Sequence, residues 1–404
     1  MKAKKNISIV GGGVCALMLA CELNTNLFDV ALYEANFALG RKFLVAGDGG
    51  LNITHSLAPQ EFIKKYKPSY FIEPAFSSFN NSDLQTWLKT KLNIETFKGS
   101  SGKIFPLKGI KPIEVINKFI SLITTKNITI KTQHKWLGFN GKQLQFEHNN
   151  TKLNVQSDIV IFCLGGASWP VTGSNGSWIE HFKLLGIKTN LFKASNCSFK
   201  INWNKNTINF LEGKALKNCK FTVNNISSLG EAVITSFGIE GNGVYPLSYI
   251  IREELEKNKK AELVIDFKPN VTKENLLKKF KTSKQKTITK KLKVDLNLSE
   301  LQIELLKLYL NKIEFNTEHL IINKIKSFNI SITGLGNIED AISTVGGIDL
   351  EEITPNFELK KLPNVYAIGE MLDYDAPTGG YLLQSCFSMA YFLSNNLNTK
   401  LFRK

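Results

Sequence analysis

The chain has 404 residues, 43% hydrophobic and 21% charged, a composition suited to a globular protein of two or three structural units, and no apolar run approaches the ~18 residues of a membrane span. Its net charge of +16 points to a polyanionic partner, because an excess of this size attracts phosphate. Only Arg41, Arg252 and Arg403 are arginines among the 51 basic residues, so a lysine-favouring AT-rich coding bias accounts for the same excess equally well.

The start, Met1-Lys2-Ala3-Lys4-Lys5, is charged like that of an export signal, but the apolar run Ile7 to Val10 breaks at once into three glycines. No export is expected. The cysteines, Cys15, Cys21, Cys163, Cys197, Cys219 and Cys386, are scattered, with no CxxC spacing, which argues against a metal site or a disulfide framework and suits a reducing cytoplasm.

Residues 6–34 read as a βαβ unit: the apolar strand NISIV, the turn GGG, a helix VCALMLACELN with small and apolar residues on every face, and a strand DVALYE ending in an acid. SDIVIFCLGG (157–166) and LPNVYAIGE (362–370) repeat the pattern of a strand closed by glycine, and residues 379–397 read as a closing helix. From about 192 to 250 short alternating segments predict antiparallel strands. From about 272 to 326 helical periodicity takes over, with Ser299 as N-cap and Leu301, Leu305, Leu308 and Ile313 on or near one face. Nine lysines against Glu274 alone fill 273–293. FNISITGLGNIEDAISTVGG then returns to strand.

These elements predict an α/β fold. A nucleotide-binding domain is made from both ends of the chain (1–190 and 345–404), a β-rich domain interrupts it (191–268 and 327–344), and a helical Lys-rich insertion (269–326) interrupts that in turn.

GGGVCA is a GxGxxG pattern ending in alanine. Gly11 permits the tight turn, Gly13 lets the backbone approach a pyrophosphate, and Ala16 lets helix pack close to strand. The phosphates then sit on the helix N-terminus. Glu34, at the end of the second strand, is suited to accept hydrogen bonds from ribose hydroxyls. Far downstream, AIGEMLDYDAPTGGYLLQ supplies a second glycine-rich segment, as a flavin enzyme needs: Gly369 ends a strand, Glu370 and Asp373 can reach ribityl or phosphate groups, and Gly379-Gly380 begin a helix whose N-terminus can stabilise a reduced flavin. No second dinucleotide motif follows a strand, so no separate nicotinamide domain is expected, although NAD(P)H can serve as electron donor by binding transiently.

GGGVCALMLACEL, GRKFLVAGDGGLNITHS, CLGGASWPVTGSNGSWI, EAVITSFGIEGNGVYPLS, ISTVGGIDLEEI and NVYAIGEMLDYDAPTGGYLLQSCFSMA resemble, in order and spacing, the signature blocks of the HI0933-like flavoproteins, also called BaiN-like or YhiN. The resemblance implies a Rossmann-type FAD-binding domain, a β-barrel-like domain and an inserted helical domain. It implies non-covalent FAD contacts from Gly11, Gly13, Ala16, Glu34, Gly40, Arg41, Lys42 and Asn52 at one end and Gly369, Glu370, Asp373, Gly379, Gly380, Tyr381 and Leu382 at the other, with Gly165 and Gly166 near the adenosine. Where the commoner version of the family reads Gly-Arg-Cys-Asn, this chain has Gly49-Gly50-Leu51-Asn52, like a distinct subgroup.

Family members are associated with reduction of a uridine in ribosomal RNA to dihydrouridine, with bile-acid reduction and with amine oxidation. For RNA, a protein acid must protonate uracil C5, for which His55, Asp48 and Tyr381 are the candidates, and Lys273 to Lys293 supplies a phosphate-binding surface. For a small-molecule substrate, a pocket lined from residues 235–248 is expected instead. A protein that holds flavin without catalysis is the third reading.

Overall fold

The computed structural model describes residues 3–45 and 51–400 of the chain, which divide into two compact units, Met1–Ala194 with Ile338–Lys404, and Ser195–Asn337.

The first unit is built on a five-stranded parallel sheet in the order Val365–Ala367, Ile159–Phe162, Lys5–Val10, Phe28–Tyr33, Thr129–Lys131. Ile7, Ile9 and Val10 are buried at its centre, with Ile7 opposite both Val30 and Ile159. Burial on both faces is why these strands read as continuous apolar runs rather than alternating ones. The helix Val14–Glu22 follows the first glycine turn. Val14 to Cys21 are all buried, because the helix lies against the sheet, the helix Pro112–Thr125 and the closing helix Tyr381–Lys400. Small residues on every face are thus a packing requirement. A three-stranded antiparallel meander (Lys135–Asn140, Gln143–His148, Thr151–Val155) and a smaller antiparallel sheet (Thr54–His55, Lys103–Pro106, Thr96–Lys98) complete the features that matter for the site.

The second unit is a closed six-stranded barrel in the order Phe199–Ile201, Gly238–Glu240, Ile226–Ile234, Ala215–Val223, Ala261–Asp266, Phe328–Leu335. Its helices between Lys273 and Lys326 connect two strands that pair with each other, with Ala261 opposite Ile332. Ser299 caps the helix Glu300–Tyr309 through a capping box with Gln302, as the sequence predicts. Leu301 and Leu305 are buried, but Leu308 is 42% and Ile313 77% exposed. Ile313 leaves the predicted stripe because the chain turns extended at Leu310 and Asn311 caps a new helix, Lys312–Asn316, whereas Leu308 is exposed within the last turn of Glu300–Tyr309 itself. Among the described residues no helix is long and apolar enough to cross a membrane.

Candidate functional site

The site lies at the glycine-ended turns of the parallel sheet. Gly11 adopts φ +105°, and a Cβ there would stand 2.4 Å from the Cys163 carbonyl oxygen, so only glycine lets the first strand turn against its neighbour. Gly13, the N-cap of Val14–Glu22, has nothing within 4 Å of the Cβ position and makes no side-chain cap, and the first helical turn carries no acid. No side chain therefore caps the helix start and the space beside Gly13 is open, which suits a pyrophosphate at the helix N-terminus. Ala16 is fully buried, as close packing of helix and strand requires.

Around this turn the predicted residues form a linked set. The Gly12 N–H donates to Glu34 Oε2 at 2.8 Å, and the Asn36 N–H and Nδ2 both donate to Oε1 at 2.7 Å. Three of the roughly four acceptor positions of the carboxylate are thereby occupied, leaving room for one ribose hydroxyl. Arg41 Nη1 donates to Asn36 Oδ1 at 2.5 Å, and its guanidinium lies over the Phe37 ring. The Gly40 N–H donates to the Gly12 carbonyl at 2.9 Å, fastening the second glycine segment onto the first.

Lys42 and Glu370 are engaged with each other. The Lys42 ammonium donates to Glu370 at 2.9 and 3.1 Å and to Ser168 Oγ at 2.8 Å, while the Thr344 N–H donates to Glu370 Oε1 at 3.1 Å. Gly166 is small because a Cβ would meet Thr344 and Glu370. Gly165 accepts from the Trp178 indole N–H through its carbonyl, and Gly369 packs beside Cys15 and Cys386. Asp373 turns to Asn190, whose Nδ2 donates to it at 2.6 Å; burial, with a contribution from the nearby Asp349 charge, pushes its carboxyl pKa up. Ser168, Thr344, Asn190 and Asp349 are partners that no local sequence signal marks.

The third part gathers around the start of the closing helix. Gly380 has φ +90°, and a Cβ would lie 2.6 to 2.8 Å from the Thr54 backbone, so the glycine pair lets the helix start press against the strand Thr54–His55. A buried network holds this contact: Thr54 Oγ1 donates to Gln384 Oε1 at 2.8 Å, and Gln384 Nε2 donates to the Phe79 carbonyl and to Ser388 Oγ. Leu382 is half-buried in the first helical turn. Asn52 lies between the buried Leu51 and Ile53, and its Nδ2 is buried with no hydrogen-bond partner.

Tyr381 is 5% exposed, and burial raises its phenol pKa far above its ordinary value. Tyr66 donates to its backbone carbonyl at 2.8 Å, but its own hydroxyl makes no hydrogen bond among the described residues. His55 stacks beside it. The Leu57 N–H donates to His55 Nδ1 at 3.2 Å, so Nε2 carries the proton and donates to the Ser101 carbonyl at 3.1 Å. Burial, and then the charges of Lys103, Lys65 and Lys98, hold the imidazole pKa low against the opposing effect of the Ser101 bond. His55 is thus neutral with both nitrogens committed, whereas Tyr381 keeps a proton with no acceptor. Asp48 lies outside the described residues.

The residues fit FAD: an uncapped helix start with open space beside Gly13, an acid at the end of the second strand, an orphaned buried amide at Asn52, and a glycine-led helix beside it. Glycine turns on a Rossmann sheet with a barrel inserted between the two halves define the class, an FAD-dependent oxidoreductase. The HI0933-like protein Rossmann domain matches residues 5–396, and the chain belongs to the HI0933-like family. It is 23% identical over 397 residues to a ribosomal RNA dihydrouridine synthase of Haemophilus influenzae, covering 95% of this chain and 96% of that one. It is 21% identical over 408 residues to a 3-dehydro-bile acid delta(4,6)-reductase of Clostridium scindens, covering 95% and 97%. In fold it is similar to a 3-ketosteroid-delta4-(5alpha)-dehydrogenase from Rhodococcus jostii, with TM-score 0.51, 12% identity, and coverage of 98% and 97%.

Proposed function

We propose that the protein reduces uridine to dihydrouridine in ribosomal RNA, with NAD(P)H as the electron donor. The observation that carries this reading is the lysine run of the barrel unit. Lys291 lies over the Phe280 ring and Lys293 pairs with Glu300, but the remaining seven lysines between Lys273 and Lys290 are exposed with no ion pair among the described residues. Such a surface favours a polyphosphate and has no use in handling a neutral steroid. The dihydrouridine synthase of Haemophilus influenzae, similar over nearly its full length, supports the same reading.

Bound FAD, once reduced, supplies the hydride that reaches uracil C6. The chain's own part is to hold the flavin on Gly11 to Ala16, Glu34 to Lys42, Asn52 and the 369–382 segment, and to deliver a proton to C5. Tyr381 is the proton donor of this proposal, because its ring is held in place by His55, Phe62 and Tyr66 while its hydroxyl donates to nothing on the described chain. His55 serves as its neutral buttress.

The deciding experiment is a dihydrouridine map of ribosomal RNA from cells with and without the gene. Loss of one dihydrouridine on deletion is expected, and an unchanged map overturns the reading in favour of a small-molecule substrate. Exchanging Lys278, Lys279, Lys284 and Lys290 for Gln should weaken RNA binding and flatten its salt dependence. Unchanged affinity and slope would return this run to a merely solvated face.

A further inference from the structure

We propose that the outer face of the small sheet carrying His55 is a platform for single-stranded RNA, on which a base stacks against Phe105 and Phe97 while Lys103 holds the adjoining phosphate. This rests on the RNA reading above and extends it to the strand beside the target base.

The pairing of the strands defines the face. His55 is directly opposite Lys103, and Phe97 is directly opposite Phe105, so the four side chains stand on one side of the sheet. Thr54, Ile104 and Pro106 point to the other side and are buried. The two phenylalanine rings are stacked, with centroids 5.5 Å apart and planes 24° apart, and both are only half-buried. The turn beside them is Gly99-Ser100-Ser101-Gly102. A Cβ at Gly99 would meet the Phe105 ring, and one at Gly102 the His55 ring, so the turn lies flat against the aromatic row. The row runs on to the candidate proton donor, because His55 stacks with Tyr381.

Charge identifies the occupant. Lys103, on this face, bears on His55 and makes no ion pair among the described residues. Burial lowers the Lys103 pKa, so its ammonium is partly desolvated without a counter-ion. Aromatic rings beside an unpaired lysine fit a strand with exposed bases and a charged backbone. A neutral sterol would use the rings and leave the lysine idle, and a duplex would keep its bases out of reach.

The test is fluorescence anisotropy of a short labelled single-stranded RNA on the full-length, FAD-loaded protein at several salt concentrations. Phe105→Ala is expected to weaken binding about tenfold, roughly 1.4 kcal/mol. Lys103→Gln is expected to lower the slope of log affinity against log salt by about 0.7. The flavin absorption band checks folding, and Phe97→Ala, on the same face and also expected to weaken binding, keeps the test intact if Phe105→Ala disturbs the core of the hairpin. If the unaltered chain binds RNA and all these variants match it in affinity and slope, the platform is overturned and the RNA reading survives on the lysine run. If duplex RNA binds as tightly as the single strand, base stacking is overturned. If the unaltered chain binds no RNA, both readings fall.

Discussion

The His55 imidazole lies beside the Tyr381 ring with centroids 5.5 Å apart and an interplanar angle of 20°, two residues from opposite ends of the chain held face to face. Phe62 closes on Tyr381 at 4.5 Å and Tyr66 meets it edge-on, so the phenol is fixed in an aromatic box with only its hydroxyl uncommitted. A proton donor gains from this arrangement because its position is set before substrate arrives.

Tyr381→Phe removes that hydroxyl and nothing else. Transfer from reduced flavin to substrate should slow by a factor on the order of a hundred to ten thousand, while FAD content and reduction by NAD(P)H stay unchanged. Stopped-flow measurement of the two half-reactions separates them. Equal loss in both would assign Tyr381 to cofactor binding instead.

His55 makes stability depend on pH. Its folded-state pKa is lowered, so the neutral ring stabilises the fold above the unfolded value of about 6.5, and that contribution is lost as pH falls through the folded value. Melting temperature should therefore drop on acidification from about pH 7.5 to about pH 5, and drop less steeply in His55→Gln. Parallel curves for the two proteins would exclude His55 as the source.

The glycine turn offers a contrast between neighbouring positions. Gly13→Ala adds a methyl group in open space at φ −75°, which any residue adopts, so flavin-free protein should melt within about 2 °C of the unaltered chain yet retain much less FAD. Gly11→Ala drives a Cβ into the Cys163 carbonyl and should fail to fold stably at all. Flavin content and thermal melts of the two variants read the difference directly.

Lys42→Met leaves the Glu370 carboxylate, whose side chain is 9% exposed, without its counter-ion. Breaking a buried pair in this way costs roughly 3 kcal/mol. Adding Glu370→Gln should recover part of the loss, and urea denaturation of the single and double variants measures the coupling.

The fold was largely legible in the sequence because glycines punctuate the strands. Gly11, Gly165 and Gly369 each follow an apolar strand of the parallel sheet, and local chemistry marks all three. The break at Leu310 was less visible, since a capping box at Asn311 and Glu314 looks like continued helix when apolar residues go on recurring around it. At the site, residue types were legible but not their commitments. Lys42 and Glu370 are 328 positions apart and Asn190 and Asp373 are 183 apart, and no window of sequence carries such pairings. The hairpin that brings Lys103 opposite His55 escaped notice for the same reason: its Gly-Ser-Ser-Gly turn looks like an ordinary loop until its strands are paired.

The buried tether from Thr54 to Gln384 joins residues 330 positions apart, and Cys15 donates its thiol hydrogen to the Cys386 carbonyl over 371. During synthesis, then, the cofactor site has to wait. Residues 195–337 form a contiguous unit whose contacts are all available once it has left the ribosome. The sheet that holds FAD lacks its outermost strand and covering helix until the last residues emerge. Flavin capture is consequently a late event, and a nascent chain stalled before residue 380 would present a half-built sheet to the cell's proteases and chaperones.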